Sequence, residues 1–464
     1  MTRARAALLA AATLLVLLAA RLDLWPGLRG PAPYPPEWQW GFEPKRADLG
    51  ALAPSLLLAG GLLGLLARAR RSAASRWSRV GLLAGATLLG GGWQLALLDL
   101  EPAGAAAELE RRTTSGSFTS YFKIAAGVED AGEFLSHHHE HLSLYRKGAL
   151  HAATHPPGPV LYYVGLLRLA ARMPWAAEAL GGEARAAAIV GAALFGLLGA
   201  AACIPVAGLA RALGALPAEA LRAGVLWTLV PGLCLMVPEL DQALALPVAA
   251  ATAAVAAAVR APEDWRVGAA VAGLLAGMSA LFSYGAPLLV ALGAAAAMSP
   301  SLATQAGRRR AALVAAVATA VAVACFFLPA LFGHHPLDSA RTALAIHREQ
   351  FTARRRYPLW LFFNLVDLAV FLGVPVVLFG LRGPRSPFRL TAAAGIVLLV
   401  ASGLIRGEMG RILVPLMPVL LVACVVWPPR TGAAGQEPST STALVLGALL
   451  AMTDVVLRLS WELP

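Results

Sequence analysis

The stretch THPPGPVLYYVGLLRLAAR (Thr154–Arg172) decides how this chain folds. Its apolar part, Val160 to Ala171, is only about 12 residues long, contains Arg168 and is followed by Arg172. A helix that crosses a bilayer needs about 20 mainly apolar residues. Read as a crossing, this segment would reverse every later loop and place Arg308–Arg310 outside, against the rule that arginine and lysine stay on the cytoplasmic side. Read as an amphipathic helix lying along the outer interface, it leaves every arginine-rich loop but one inside.

Outward from that segment, apolar runs near 5–24, 50–67, 80–98, 186–210, 222–238, 240–259, 267–283, 285–299, 311–332, 358–381, 390–405, 411–428 and 441–459 read as spans. The expected fold is therefore all-α, a polytopic membrane helix bundle of about thirteen spans, with an interfacial helix in its first external loop. Arg3 and Arg5 put the N-terminus inside. The cluster Arg68, Arg70, Arg71, Arg76 and Arg79 marks the next loop as cytoplasmic, as Arg382, Arg385 and Arg389 do later. Ala6 to Ala20 resembles a signal-peptide core, but the many later spans favour an uncleaved first helix. Residues 1–79 then form two additional N-terminal helices, 80–428 a core with external loops 99–185 and 333–357, and 429–464 a linker with a last helix.

Composition supports the membrane assignment. The chain is 58% hydrophobic and 14% charged, with a mean hydropathy of +0.68; soluble domains carry about 25% charged residues. The net charge of +12 is almost all arginine, since Lys45, Lys123 and Lys147 are the only lysines. In such a protein an arginine excess reports topology and lipid phosphate, and nucleic acid is not an expected partner. Cys203, Cys234, Cys325 and Cys424 sit inside apolar runs with no metal or redox spacing.

The long polar interval from Tyr121 to Tyr163 holds six of the nine histidines: His137, His138, His139, His141, His151 and His155. The other three, His334, His335 and His347, lie in the second long polar loop. If the two loops share a membrane face, they form a polar crown over the bundle. The second loop is the exception to the arginine rule. It carries Arg341, Arg348, Arg354, Arg355 and Arg356 against Asp338 and Glu349, which suggests an anionic partner such as lipid phosphate, although long loops also translocate regardless of charge.

Four segments together resemble polytopic glycosyltransferases of the GT-C class, the superfamily of protein O-mannosyltransferases and lipid A aminoarabinose transferases. They are THPPGPVLYY (Thr154–Tyr163), the VPELDQALALPVA segment carrying Asp241, GMSALFSYGAPLL (Gly277–Leu289) and RGEMGRILVPLMP (Arg406–Pro418). The likeness runs over about 80–460. It implies inverting transfer of a sugar from a polyprenyl-phosphate donor to a glycan, lipid or protein acceptor, on the external face of a bacterial-type inner membrane, with no cofactor. It also implies a catalytic Asp just after the span preceding the first loop. The alignable residues here, Gly116–Phe122 (GSFTSYF), include no carboxylate. The nearest acids are Asp99, Glu101, Glu129, Asp130 and Glu133.

Inverting transfer needs a base for the acceptor hydroxyl and cations or amide donors for the departing phosphate. Asp130 is the first candidate base, against a role as a solvated loop acid. Asp241 is the second, because a carboxylate among apolar helices is costly; a helix N-cap is its plainer role. For the phosphate and sugar the candidates are Arg406, Glu408 and Arg411 at an external helix start, Arg354, Arg355 and Arg356 on the second loop, and His155. Plainer roles are a Glu408–Arg411 pair that stabilises the turn, and a rigid corner at His155. In HHHEH, His137 and His141 share a helix face as zinc ligands do, but no carboxylate–histidine motif completes a site, and no metal is expected. Rival functions are a transporter or flippase for lipid-linked substrates, which Asn364 and Asp367 inside a span favour, and a non-catalytic assembly partner.

Overall fold

A computed structural model describes residues 3–46, 49–116, 118–260, 263–426 and 440–463; most of the 429–440 linker lies outside them. The chain is an α-helical membrane bundle. Among the described residues nine helices are long and apolar enough to cross a bilayer, from Ala4–Arg21 to Thr440–Arg458. A tenth crossing is available in the pair Tyr357–Leu372 and Val374–Leu381, bent by 105°. The bend falls at Gly373, whose φ of +97° suits glycine, and Pro375 opens the second half. Two other expected spans form shorter apolar helices, Trp265–Ala280 and Pro387–Ala401. The 411–428 run is helical over Met409–Ile412 and Met417–Val425, because Pro415 and Pro418 interrupt its amide ladder.

Small residues set the closest helix contacts. In Trp265–Ala280, Gly273 and Gly277 are four apart and face helix Gln305–Phe327. A Cβ on Gly273 would stand 2.4 Å from the Ala318 carbonyl oxygen, and one on Gly277 2.4 Å from Cys325 Cβ. Lipid offers no hydrophobic drive for helices to associate, so such close backbone packing is what joins them. At the centre, Pro217–Leu235 is wholly enclosed by other helices.

Gly158–Arg172 is a 15-residue helix, about 22 Å long, that carries Arg168 and Arg172 and is not among the helices long and apolar enough to cross a bilayer. It exposes Arg168, Leu169 and Arg172, and Trp175 follows on the surface. Arginine, leucine and tryptophan on one side suit a bilayer interface.

The two histidine-bearing loops pack directly on each other. His138 Nδ1 lies 3.3 Å from Ser339 Oγ, and His334 Nδ1 lies 3.1 Å from the Leu135 carbonyl. The His139 and His335 rings are 4.7 Å apart, Arg146 pairs with Glu349, and Leu142, Ala343 and Ile346 are buried between the loops.

The first helices are stitched to the end of the chain. Arg21 donates to the Leu459 carbonyl at 2.7 Å, and strand Gly41–Phe42 pairs antiparallel with Trp461–Glu462. A strap over residues 25–46 joins helices Arg3–Arg21 and Leu49–Ser72. Under its end lies a buried ionic hub at Glu101. Its carboxylate is 2.8 Å from Lys45 Nζ, 3.1 Å from Arg458 Nη1 and 3.4 Å from Arg112 Nη2. Arg112 also binds Glu108 at 2.8 Å, and Arg458 donates to the Leu235 carbonyl at 2.8 Å. Burial disfavours the Glu101 charge, but Arg458, Lys45 and Arg112 outweigh it and hold its pKa below the usual value. Glu101→Gln leaves these cations short of a partner, and breaking a buried pair costs about 3–5 kcal/mol. The expected result is a clear fall in the melting temperature of the detergent-solubilised protein; an unchanged melt would remove the hub from the list of fold determinants.

Candidate functional site

A cavity of about 960 Å³ opens within the polar crown. The strap supplies Arg29, Tyr34, Trp38 and Trp40, the 99–185 loop Lys123, Lys147 and His151, and the chain end Glu462. Glu239, Glu408 and Arg411 also line it.

These three belong to a charge relay. Arg411 Nη1 lies 3.4 Å from Glu239 Oε2, and its Nη2 lies 2.7 Å from Glu408 Oε2. The other Glu408 oxygen is 3.6 Å from Arg355 Nη2. Glu239 occupies the N-cap position of helix Leu240–Ala258, and its carboxylate, which makes no cap bond, is held at the cavity wall by Arg411. Glu408 has a φ of +57°, a left-handed conformation that costs a side-chain-bearing residue energy unless its surroundings impose it. They do. The Gly407 N–H donates to Asn364 Oδ1 at 3.3 Å, Asn364 Nδ2 donates to the Ile405 carbonyl at 2.8 Å, and the Gly410 N–H donates to Asp367 at 2.7 Å. Asp367 also accepts from Trp40 Nε1 at 2.9 Å. Asn364 and Asp367 thus hold the turn that carries Glu408 and Arg411.

Burial opposes the Arg411 charge, yet Glu408, Glu239 and Asp241 together push its pKa up, so it stays a cation. Its Nε is buried without a partner. Burial raises the pKa of Glu239 despite Arg411, which favours proton uptake by this carboxylate. Asp241 interacts with Arg411, Glu239 and Glu408 through charge but accepts no hydrogen bond among the described residues. Three carboxylates therefore face two guanidinium groups, which leaves one acid in excess. Behind them Tyr121 packs edge-on to His155 at 5.4 Å, and His155 Nδ1 lies 2.8 Å from the His151 carbonyl. Burial holds both imidazoles neutral, lowering the pKa of His155 to about 4 and that of His151 well below normal.

The sequence candidates divide. Glu408, Arg411 and Arg355 come together, and Asp241 is beside them. Asp130 stands apart: it is exposed and caps helix Ala131–Ser136, accepting from the Gly132 and Glu133 amides at 2.6 and 3.1 Å. Those amides lower its pKa. Arg406 donates to the Thr352 and Arg355 carbonyls at 2.9 and 2.8 Å, pinning the loop to the turn. Arg356 pairs with Glu37 at 2.9 Å, and Arg354 is exposed. Sequence reasoning missed Glu239 and the strap aromatics; the only signal for Glu239 was its place two residues before Asp241. Among the described residues no three His, Cys, Asp or Glu side chains are grouped to hold a metal ion. Comparison with known protein families, curated proteins and solved structures gives no match for this chain.

The buried histidines fix an acid limit. His138, like His155, is held neutral by burial, with its pKa lowered to about 3. The unfolded chain binds protons at these sites near pH 6.5, and the folded chain does not. Their contribution is therefore complete above pH 6.5 and is lost as pH falls toward 4, by about 1.4 kcal/mol per pH unit for each group. Melting temperatures between pH 7 and 5 should fall steadily. They should fall less in His138→Asn or His155→Asn, whereas parallel curves would contradict the assignment.

Proposed function

We propose that this protein is an inverting membrane glycosyltransferase that takes a sugar from a polyprenyl-phosphate donor at the external face of a bacterial-type inner membrane. The observation that carries the reading is the relay of Glu239, Glu408 and Arg411 on the wall of a large crown cavity. In the proposed step Glu239 takes the proton of an acceptor hydroxyl as the oxygen bonds to the anomeric carbon. The bond from that carbon to the phosphate oxygen breaks, and polyprenyl phosphate leaves against the cationic Arg411. Asp241 adds nearby negative charge that favours proton uptake by Glu239. The acceptor is a glycan, lipid or protein.

The topology that goes with this reading has thirteen crossings, the N-terminus inside and the C-terminus outside. It is supported by the origin of the cavity lining: the loops that arginine placement leaves outside are those that meet around it. Single cysteines at Ser136, Arg172 and Arg341, in a cysteine-free background, should react with a membrane-impermeant reagent on intact cells, and one at Ser301 should not. Labelling of 136 and 301 together would reject the topology.

A second reading, transport of a lipid-linked substrate, is favoured by the 105° break at Gly373, since broken helices are common in transporters. The two separate in one assay. Detergent-opened membranes containing the protein receive radiolabelled undecaprenyl-phosphate mannose, glucose or aminoarabinose together with envelope extract. Label should pass from the lipid to an acceptor, Glu239→Gln should lower the rate about 100-fold or more, and Asp130→Asn should leave it unchanged. Transfer from none of the donors, or full activity in Glu239→Gln, would sink the glycosyltransferase reading.

A further inference from the structure

The cavity has two chemically different halves. Its floor is the relay, whose cation Arg411 already pairs with Glu239 and Glu408. On its rim, Arg29 pairs with Asp23 at 2.9 Å and Arg146 pairs with Glu349. The rim acid Glu462 is within electrostatic reach of Arg111. Lys123 and Lys147 are different. Lys123 Nζ meets only the Gly148 carbonyl, at 3.3 Å, and Lys147 has no ion pair or hydrogen bond among the described residues. Two of the chain's three lysines are thus uncompensated cations on one cavity rim. Gly116 and Gly148 lie beside Lys123 Nζ without side chains, and a Cβ on them would stand 3.5 and 3.7 Å from it.

The strap supplies a surface of another kind. Trp38 lines the cavity and is fixed edge-on by Tyr34 at 5.8 Å and Trp40 at 5.4 Å. The strap cannot easily shift, because Glu37 accepts from Trp360 Nε1 at 2.8 Å and from Arg356, and Trp40 is bound to Asp367. Yet Trp38 Nε1 is buried with no partner. A buried donor left without an acceptor is destabilising, so it suits a ligand oxygen. An amphipathic ring with one N–H matches a saccharide, which offers apolar C–H faces and hydroxyls.

We propose that the outer half of the cavity is an acceptor subsite for an acidic saccharide. A sugar ring packs on Trp38 and accepts its indole N–H, while a phosphate or carboxylate on the same molecule lies between Lys123 and Lys147. This rests on the glycosyltransferase reading and names its acceptor class. The test uses the full-length protein in uncharged detergent on an array of neutral, uronate-bearing and phosphorylated oligosaccharides. Acidic glycans should bind at least 10-fold more strongly than their neutral counterparts. Lys123→Gln with Lys147→Gln, both at exposed positions, should reduce acidic binding to the neutral level. Trp38→Ala should weaken both, and Trp38→Phe, which keeps a ring and removes the N–H, should fall between. Absence of glycan binding, equal binding of neutral glycans, an unaffected lysine variant, or displacement by phosphatidylglycerol vesicles would each overturn the proposal. Acidic-glycan binding without sugar transfer would instead count against the glycosyltransferase reading alone.

Discussion

Three buried cations from distant parts of the chain converge on the Glu101 carboxylate. Lys45 ends the strap, Arg112 belongs to the 99–185 loop, and Arg458 closes the last helix. None could be left alone in an apolar bundle, since an unpaired buried charge costs several kcal/mol. Satisfying them at one point forces those three segments together. The strap thereby comes to lie across the crown, with Arg29, Trp38 and Trp40 facing the cavity. The hub is thus a positional device, and the cavity's shape follows from it.

The same logic explains the polar residues inside the bent helix. Asn364 and Asp367 would be expensive in lipid, and in sequence they argue for a transport path. In the fold they are spent on backbone groups of Ile405, Gly407 and Gly410, with Trp40 as a further donor. Their bonds impose the left-handed Glu408 and so set Arg411 between two carboxylates. A relay fixed in this way need not reorganise as charge moves, which is the condition under which buried dipoles and ions act most strongly.

Much of this architecture was legible in the chain. Length and apolar composition identify the long spans, and the 12-residue run beside Arg168 forms a 15-residue helix that is not among them. Helix ends were less legible where proline interrupts an apolar run, as at Pro415 and Pro418. The site was legible in part. Glu408 and Arg411 are three apart on one turn, so local spacing reveals their pair. The choice between Asp130 and Asp241 was not local. Each has the sequence context of a helix start, and only the fold shows that Asp130 is the cap while Glu239, not Asp241, occupies the capping position of the other helix. Trp38 and Trp40 were invisible as site residues because their partners lie more than 300 positions away.

The arginine-rich loop 333–357 shows how far a charge count carries. Five arginines on one polar loop suggest an anionic partner, but three have acids within the chain. Arg341 is 3.6 Å from Asp338, Arg355 is 3.6 Å from Glu408, and Arg356 is 2.9 Å from Glu37. Glu37 comes from the strap, so an excess that looks uncompensated within the loop is partly balanced by a segment some 300 residues earlier. What remains for an outside partner is Arg348 and Arg354, both exposed. Two exposed arginines would give, beside a bilayer surface, only weak attraction to lipid phosphate, at about 1 kcal/mol each. The stronger demand for an anion therefore belongs to the cavity rim, where the cations are lysines without acids and the space to receive a ligand already exists.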